Sequence, residues 1–418
     1  MDLVLPEAAK EVDAEVHETE DMSACETIFN LSNTMVGGGV LSVPFAFRLI
    51  SYSAALLLAL VVLVTAFTAC LIGQSLDAVR HKTDTPPACR DYAWLAEVSF
   101  GPWGRRVVGI TTAMELWIAA VTFLVMSGNN AKGLLGVNEF HAVMFCTVLS
   151  TVMVFIPLRV YAYVSLVSLI ALLIASLAFL ADLLAMPSWS MPDFVQPQIA
   201  DLFRAYGLFI FCFAGHPCFP GLHQTMRQTK HWTSCVSLSF SIASCYYVGL
   251  GLIAFMALGT DVHPVFTADM RDGWMGRITI AFFAVKIQLT TPVLLRVVIV
   301  ALQLWPEGGG GSGEPRGEHT VRSLLGSYLP AAVLVVFTGA SACFLSQKVA
   351  ALASLAGALL VNLTSVVLPA VMYARLVWSD KTSKAKLALC ALLVAFGLVT
   401  AVVGTVLAVQ DMSKKAHA

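Results

Sequence analysis

The sequence has little charge. Asp, Glu, Lys and Arg make up only 12% of its 418 residues, while 58% of the residues are hydrophobic. Soluble domains carry about a quarter charged residues, so this composition excludes an ordinary soluble protein. A net charge of −1 gives no basis for nucleic-acid binding. We therefore predict a polytopic integral membrane protein, with the lipid bilayer and not nucleic acid as its partner.

The sequence also lacks the patterns of metal sites, disulfide frameworks and enzymes. Its ten cysteines lie mostly inside apolar runs, with no CxxC pair and no histidine at zinc-ligand spacing, which is typical of small packing residues. We find no nucleophile with a base and oxyanion donors, and no phosphate-binding loop. The sequence predicts no enzyme, no metal and no cofactor.

We also predict no cleavable signal peptide. The first 26 residues are polar and hold nine acidic residues against the single basic residue Lys10. We expect residues 1–24 to form a disordered, acidic cytosolic tail. A sorting or partner motif within this tail is an alternative that the residues leave open.

Long apolar runs are abundant. Runs of about 18 or more apolar residues mark membrane-spanning helices, and they predict an all-α membrane protein with eleven spans in one transmembrane domain, residues 25–410. The predicted spans are 25–50, 52–76, 105–127, 140–157, 160–186, 203–226, 232–259, 274–304, 324–345, 349–376 and 386–409.

The segments between and after the spans give further expectations. Residues 305–321 are predicted to form a flexible Gly-rich loop, and residues 411–418 a C-terminal tail. The stretch DYAWLAEVSFGPWGRR between spans two and three predicts a short amphipathic helix on the membrane surface. Most lysines and arginines outside the spans fall on the cytosolic side if the N-terminus is cytosolic. The C-terminus is then lumenal or extracellular.

Span one contains a predicted break. The stretch NLSNTMVGGGVLSVPFAF, residues 30–47, has Gly37, Gly38 and Gly39 at its centre and Pro44 five residues later. Each glycine costs about 1 kcal/mol in a helix interior, and proline cannot donate a backbone hydrogen bond. Irregular backbone at membrane depth needs polar partners, which a bound solute can supply. A glycine seam for close helix packing is the alternative for this stretch alone.

Span six contains a second predicted break. The stretch FCFAGHPCFPGLHQTM packs Gly215, Pro217, Pro220 and Gly221 into seven residues. Two interrupted helices five spans apart, at matching places in two halves, point to an inverted-repeat transporter whose site lies near the middle of the membrane.

Two charged residues lie near the middle of spans. Glu115 is in span three and Lys286 is in span eight. A charge there costs about 2.5 to 3.5 kcal/mol, so each is a candidate for ion or proton coupling. Glu115 could accept a coupling proton while Lys286 replaces a bound cation, the two could form a buried ion pair, or both could be structural.

Three further polar residues are candidates with two interpretations each. His216, inside the break of span six, suits a pH sensor or proton relay, or it caps the freed backbone. Thr290 and Thr291, just before Pro292, could offer hydroxyls to an ion or substrate, or bond back to their own helix.

The segments quoted above, together with MELWIAAVTFLVMSGNN, AVKIQLTTPVLL and LPAVMYARLVW, resemble the amino acid/auxin permease family. They are most similar to its vesicular inhibitory and vacuolar amino acid transporter branch, and His216 resembles the vacuolar and plant-like members. The resemblance covers residues 24–410. It implies a LeuT-type fold, in which spans one to five and six to ten form inverted repeats and span eleven is added.

The resemblance also implies a function and a site. It implies alternating-access transport of small amino acids or related amines, coupled to H⁺ or, alternatively, Na⁺. An amino-acid-sensing membrane receptor with little flux is a further alternative. The membrane would be vesicular, vacuolar or lysosomal, or the plasma membrane, and the oligomeric state stays open. The implied substrate-binding residues are Thr34, Val36, Gly37, Gly38 and Gly39 in span one and Phe213, Ala214, Gly215 and His216 in span six.

Overall fold

The computed structural model describes residues 22–80, 85, 90–156, 158–302, 321–378 and 383–413. Three regions for which the sequence makes predictions lie wholly or mostly outside this part: residues 1–21 of the acidic tail, nearly all of the Gly-rich loop and the last five residues.

The described chain is helical apart from one isolated β-bridge between Met22 and Met226. The α-helices are α1 (Ala24–Met35), α2 (Val43–Ile50), α3 (Ser53–Val79), α4 (Tyr92–Phe100), α5 (Pro102–Leu135), α6 (Glu139–Val154), α7 (Leu158–Leu184), α8 (Ile199–Cys212), α9 (Phe219–Gln224), α10 (Trp232–Leu258), α11 (Trp274–Ala301), α12 (Val321–Leu345), α13 (Val349–Leu355), α14 (Leu368–Val377) and α15 (Lys384–Ser413).

Each predicted span coincides with a helix or a pair of helices, and the protein is a multi-pass membrane protein. In the described residues, eight helical segments are long and apolar enough to cross a bilayer, and the bent pair α1–α2 makes nine. One of these segments, Leu329–Val377, has 49 residues, although a crossing needs only about 20. Helix α6 is short, at 16 residues. The count of eleven spans and the inverted repeat stay predictions.

The first broken helix is α1 followed by α2. Helix α1 begins with a capping box, in which the Ser23 side chain accepts from the Glu26 backbone and the Glu26 carboxylate accepts from the Ser23 backbone. It ends at Met35, a 3₁₀ turn follows at Gly38–Ser42, and α2 carries Pro44 in its first turn. The two helices are bent by 49°. Residues 36–42 are called the first break, and the glycines and proline fall where the helix is interrupted.

The second broken helix is α8 followed by α9. Helix α8 ends at Cys212, a short 3₁₀ turn covers His216–Cys218, and Pro220 lies in the first turn of α9. Proline suits these positions because the N–H groups of a first turn have no intrahelical partner. Residues 213–218 are called the second break. Both predicted breaks are thus present.

The helices pack in two groups. Helix α10 packs against α1, α2 and α3, and α2 packs against α8. We call α1–α3 with α8–α10 the broken-helix group. Helix α11 packs against α5 and α7, while α6 packs against α5 and α12. These five form the surrounding group. A Cβ at Gly251 of α10 would lie 2.6 Å from the Phe47 ring, so small residues allow close approach within the first group.

The prediction of a membrane-surface helix between spans two and three is wrong. Helix α4 is not a surface helix: Tyr92, Trp94 and Leu95 are buried, because its apolar residues are spread around the helix and do not form one face. Residues 22–24, the end of the predicted acidic tail, lie within the described chain. The Met22 N–H donates to the Thr225 carbonyl at 2.7 Å, which fixes the chain just before α1.

Candidate functional site

A cavity of about 110 Å³ lies between the two breaks. Its walls come from both broken helices, from α5 and α11, and from one residue of the segment after α13. The lining residues are Asn33, Thr34, Met35, Gly37, Gly39, Glu115, Leu116, Ala119, Phe123, Phe211, Cys212, Ala214, Gly215, Pro217, Cys218, Thr290, Leu294 and Val361.

About half of the site residues predicted from the sequence line the cavity. Those at its wall are Thr34, Gly37, Gly39, Glu115, Ala214, Gly215 and Thr290. Six others do not line it: Val36, Gly38, Phe213, His216, Lys286 and Thr291. The predicted breaks therefore meet at one place, while several of their side chains point into the surrounding packing.

Residues at the C-terminal ends of α1 and α8 line the cavity. A broken helix leaves carbonyl groups at the C-terminal end of its first half and N–H groups at the N-terminal end of its second half. The Tyr247 hydroxyl of α10 donates to the Met35 carbonyl at 2.8 Å and lies 3.3 Å from the Cys212 carbonyl. One buried tyrosine thus contacts the ends of both α1 and α8. The sequence analysis missed it, and its only signal is a hydroxyl within an apolar span.

Two phenylalanines of the cavity wall contact each other. Phe123 and Phe211 meet edge to face with ring centroids 6.3 Å apart. Phe123 lies about 12 Å of helix rise beyond Glu115 along α5, toward the predicted lumenal or extracellular end. Gly38 packs under the Phe123 ring, where an added Cβ would lie only 2.7 Å from Cε1. This glycine permits the close contact between the first break and α5.

Glu115 is the only carboxylate at the cavity wall within the described residues. It is 2% exposed, and Oε2 accepts a hydrogen bond of 2.6 Å from Thr364 Oγ1. The described residues contain no ion pair between Glu115 and Lys286 within 4.0 Å, so the ion-pair hypothesis is wrong. Similar depth along two helices does not fix the direction of each side chain around its helix axis.

His216 is part of the second break, and its side chain is fully buried. Nε2 is 3.0 Å from the Thr65 carbonyl and 3.2 Å from Thr68 Oγ1. A carbonyl can only accept, so this geometry assigns the ring proton to Nε2. The histidine therefore ties the second break to α3 and does not cap the backbone of its own helix.

Thr290 and Thr291 both bond back to α11. Their hydroxyls donate to the carbonyls of Lys286 at 2.8 Å and Ile287 at 2.9 Å. This back-bonding is the second of the two interpretations offered by the sequence. Thr290 nevertheless lies at the cavity wall, whereas Thr291 is buried within the packing.

Comparison with known proteins identifies the family. A family model described as "Transmembrane amino acid transporter protein" matches residues 20–410. The chain belongs to this family. The resemblance drawn from the two breaks and the other segments is thereby confirmed.

The named relatives are plant proteins. "Amino acid transporter AVT1J" of Arabidopsis thaliana is 24% identical, over 93% of this chain and 91% of its own length. "Amino acid transporter AVT1B" of the same plant is 23% identical, over 98% of this chain and 75% of its own. The family and its named members are transporters, so the prediction that the chain is not an enzyme is confirmed.

Among solved structures, a manganese transporter from Eremococcus coleocola aligns with 13% identity and a TM-score of 0.47, over 92% of this chain and 84% of that chain. A score at this level does not by itself establish a shared fold.

Proposed function

We propose that this protein is a secondary active transporter of small amino acids, that it works by alternating access and that protons drive it. One observation carries the proposal. The two helix breaks, which are far apart in the sequence, line a single cavity that also holds the buried carboxylate Glu115. Family membership supports amino acids as the substrate class.

Backbone groups at the breaks match the charges of an amino acid. The 3₁₀ turn at Gly38–Ser42 begins at the cavity, and the N-terminal end of a helical turn favours a carboxylate. The carbonyls at the C-terminal ends of α1 and α8 favour an ammonium group. A cavity of about 110 Å³ with Phe123 and Phe211 in its wall leaves little room for a side chain, which favours small substrates or related amines.

Glu115 is the proposed proton acceptor. It faces the cavity, and it has no basic partner within 4.0 Å among the described residues that would hold it permanently charged. Since a charge inside the membrane is costly, gain of a proton would ease movement of the site between its two orientations. The coupling ion is therefore H⁺, with Na⁺ as the alternative to be tested.

Alternating access would move the broken-helix group against the surrounding group, with hinges at Gly37–Gly39 and Gly215–Pro217. The loop after α10 touches both groups. The Ser42 hydroxyl donates to the Pro264 carbonyl at 2.9 Å, and the Thr267 hydroxyl donates to Asn130 Oδ1 of α5 at 2.5 Å. These bonds support a state closed on the side predicted to be lumenal or extracellular. The membrane is an endomembrane (vesicular, vacuolar or lysosomal) or the plasma membrane, with the N-terminus in the cytosol.

The test is uptake of a labelled amino-acid pool by proteoliposomes, with a pH gradient in one set and a Na⁺ gradient in another. We expect stimulation by the pH gradient alone. Stimulation by Na⁺ alone would overturn proton coupling, and saturable binding without flux would instead favour the amino-acid sensor.

The first variant is Glu115→Gln, which keeps the shape of the side chain and removes its titration. It should lose uptake driven by the pH gradient, by about tenfold or more as for other removed acid–base groups. Exchange of labelled for unlabelled substrate at equal pH should continue. Loss of both activities in a folded variant would mean that Glu115 is structural.

A further inference from the structure

The helix that follows α13 is wound irregularly beside the cavity. Residues Ala356–Val361 and Leu363–Val367 are π-helical, and α14 resumes a regular helix at Leu368. A π-helical turn holds an extra residue and displaces the normal i→i+4 hydrogen bonds. Such turns occur mainly at functional sites, and here the side chains of Thr364 and Ser365 are fully buried.

Two side chains from elsewhere in the fold hold the carbonyls of this π-helical turn. The Tyr92 hydroxyl of α4 donates to the Thr364 carbonyl at 2.6 Å. The Thr68 hydroxyl of α3 donates to the Ser365 carbonyl at 2.6 Å. Both are short bonds between buried groups, so the turn is fixed from two directions. Burial, and to a smaller extent the charge of Glu115, raises the pKa of Tyr92 well above its usual value. Tyr92 therefore stays protonated and keeps its donor.

The Thr364 side chain points from this turn to Glu115. Its Oγ1 lies 2.6 Å from Glu115 Oε2, but 3.1 Å from the Leu360 carbonyl and 3.2 Å from the Val361 carbonyl. A hydroxyl has one proton to donate and can also accept. When Glu115 is ionised, the Thr364 hydroxyl donates this proton to the carboxylate, which is its shortest contact.

The same atoms also provide hydrogen-bond partners for a protonated Glu115. The carboxylic acid would then donate to Thr364 Oγ1, and the hydroxyl would turn its own proton to the carbonyl of Leu360 or Val361. Glu115 thus keeps a hydrogen-bond partner in both protonation states without moving either helix. A valine at position 364 would offer neither bond, and a serine would offer both.

Few other ionisable groups face Glu115. Tyr92 and Cys218 are near enough to sense its charge, and Lys286 lies on the adjacent helix α11 without an ion pair to it. The remaining charged residues of the helices packed against α5 lie toward helix ends: Glu97 of α4, Glu139 of α6, Arg277 and Arg296 of α11, and Arg322 of α12.

We propose that Thr364 is the positioning residue for proton coupling, and that the π-helical turn held by Tyr92 and Thr68 aims its hydroxyl at Glu115 through the whole protonation cycle. This inference rests on the proposed role of Glu115. Thr364 itself does not line the substrate cavity, and its effect on transport passes through the carboxylate.

The experiment compares Thr364→Val with Thr364→Ser in proteoliposomes, by measuring initial uptake over a range of external pH and, separately, substrate exchange at equal pH. We expect Thr364→Val to lower uptake driven by the pH gradient about tenfold, the value of a lost bond to a charged group. Its half-maximal pH should move by about one unit, toward alkaline pH, because the stronger of the two bonds is the one to the carboxylate. Thr364→Ser should match the unmodified protein, and exchange should persist in both variants.

Each other outcome has a separate meaning. If Glu115→Gln abolishes coupling while Thr364→Val keeps the normal rate and pH profile, the positioning role is overturned and the proposed function stands. If Glu115→Gln leaves coupling intact, the acceptor assignment itself fails. If Thr364→Val does not elute as a single species on size exclusion, Tyr92→Phe is the variant to test instead. It keeps the ring and removes the donor to the turn, so an unchanged pH profile in Tyr92→Phe would contradict the proposal.

Discussion

The two breaks line the same cavity, but they are built differently. The first break relies on glycine: Gly38 lies under Phe123, and a Cβ at Gly39 would lie 3.1 Å from Cys212 Sγ. The second break relies on proline and on a buried histidine bonded to α3. The first break should therefore be sensitive to substitutions that add side-chain volume. The second break should be sensitive to substitutions that remove hydrogen bonds. Tyr247 contacts both.

The largest expected effect is that of added volume in the first break. Gly38→Ala would place its Cβ 2.7 Å from the Phe123 ring, and overpacking of this kind costs about 1 to 3 kcal/mol. We expect uptake to fall by about 10- to 100-fold. The control is Gly249→Ala in α10, where an added Cβ would meet nothing within 4 Å and should be tolerated. Equal losses in both variants would refute the volume argument, and Phe123→Ala combined with Gly38→Ala should restore part of the uptake.

A substitution in the second break should mainly lower the stability of the protein. His216→Ala removes the hydrogen bond to the Thr65 carbonyl, which is worth about 0.5 to 1.5 kcal/mol, and leaves a void where the buried ring packs beside Phe219. We expect a lower midpoint of thermal unfolding in detergent and little change in the substrate concentration for half-maximal uptake, since His216 does not line the cavity. The exposed His231 gives the control His231→Ala. A normal midpoint combined with loss of coupling would favour the proton relay instead.

The smallest expected effect concerns the residue shared by both breaks. Tyr247→Phe keeps the ring and removes a hydroxyl whose hydrogen bond is worth about 1 kcal/mol. We expect the substrate concentration for half-maximal uptake to rise about fivefold. Tyr246→Phe is the control, because the Tyr246 hydroxyl bonds to Ser176 of α7, away from the breaks. If the two variants behave alike, Tyr247 has no special relation to the breaks.

The sequence predicts the helices and breaks well because the signals are local. An apolar run of membrane length and a cluster of Gly and Pro each act on neighbouring backbone. Glu115 was predicted for a similar reason, since a charge in an apolar span is conspicuous. What it would contact was not predictable: depth along a helix does not give direction around it, so the sequence alone could not exclude an ion pair with Lys286, one of its three alternatives.

The neutral polar residues of the site carry no such signal. Tyr92 and Thr364 are 272 residues apart and Tyr247 and Met35 are 212 apart, and nothing local to a tyrosine or threonine identifies a distant carbonyl as its partner. The prediction of a membrane-surface helix at α4 was wrong for a related reason. An apolar helix with scattered polar residues can lie on a membrane or be buried in a protein, and only the tertiary packing decides.

The Cys218 thiol belongs to the cavity wall, and its exposed surface faces that space. The reactivity of Cys218 can therefore report the side of the membrane to which the cavity is open. A membrane-impermeant thiol reagent can reach this sulfur only from the side to which the cavity is open. Once the exposed Cys25 and Cys245 are replaced, together with Cys89, which lies outside the described residues, the labelling rates from the two faces of the membrane would compare how readily the cavity opens to each side, without any substrate or gradient.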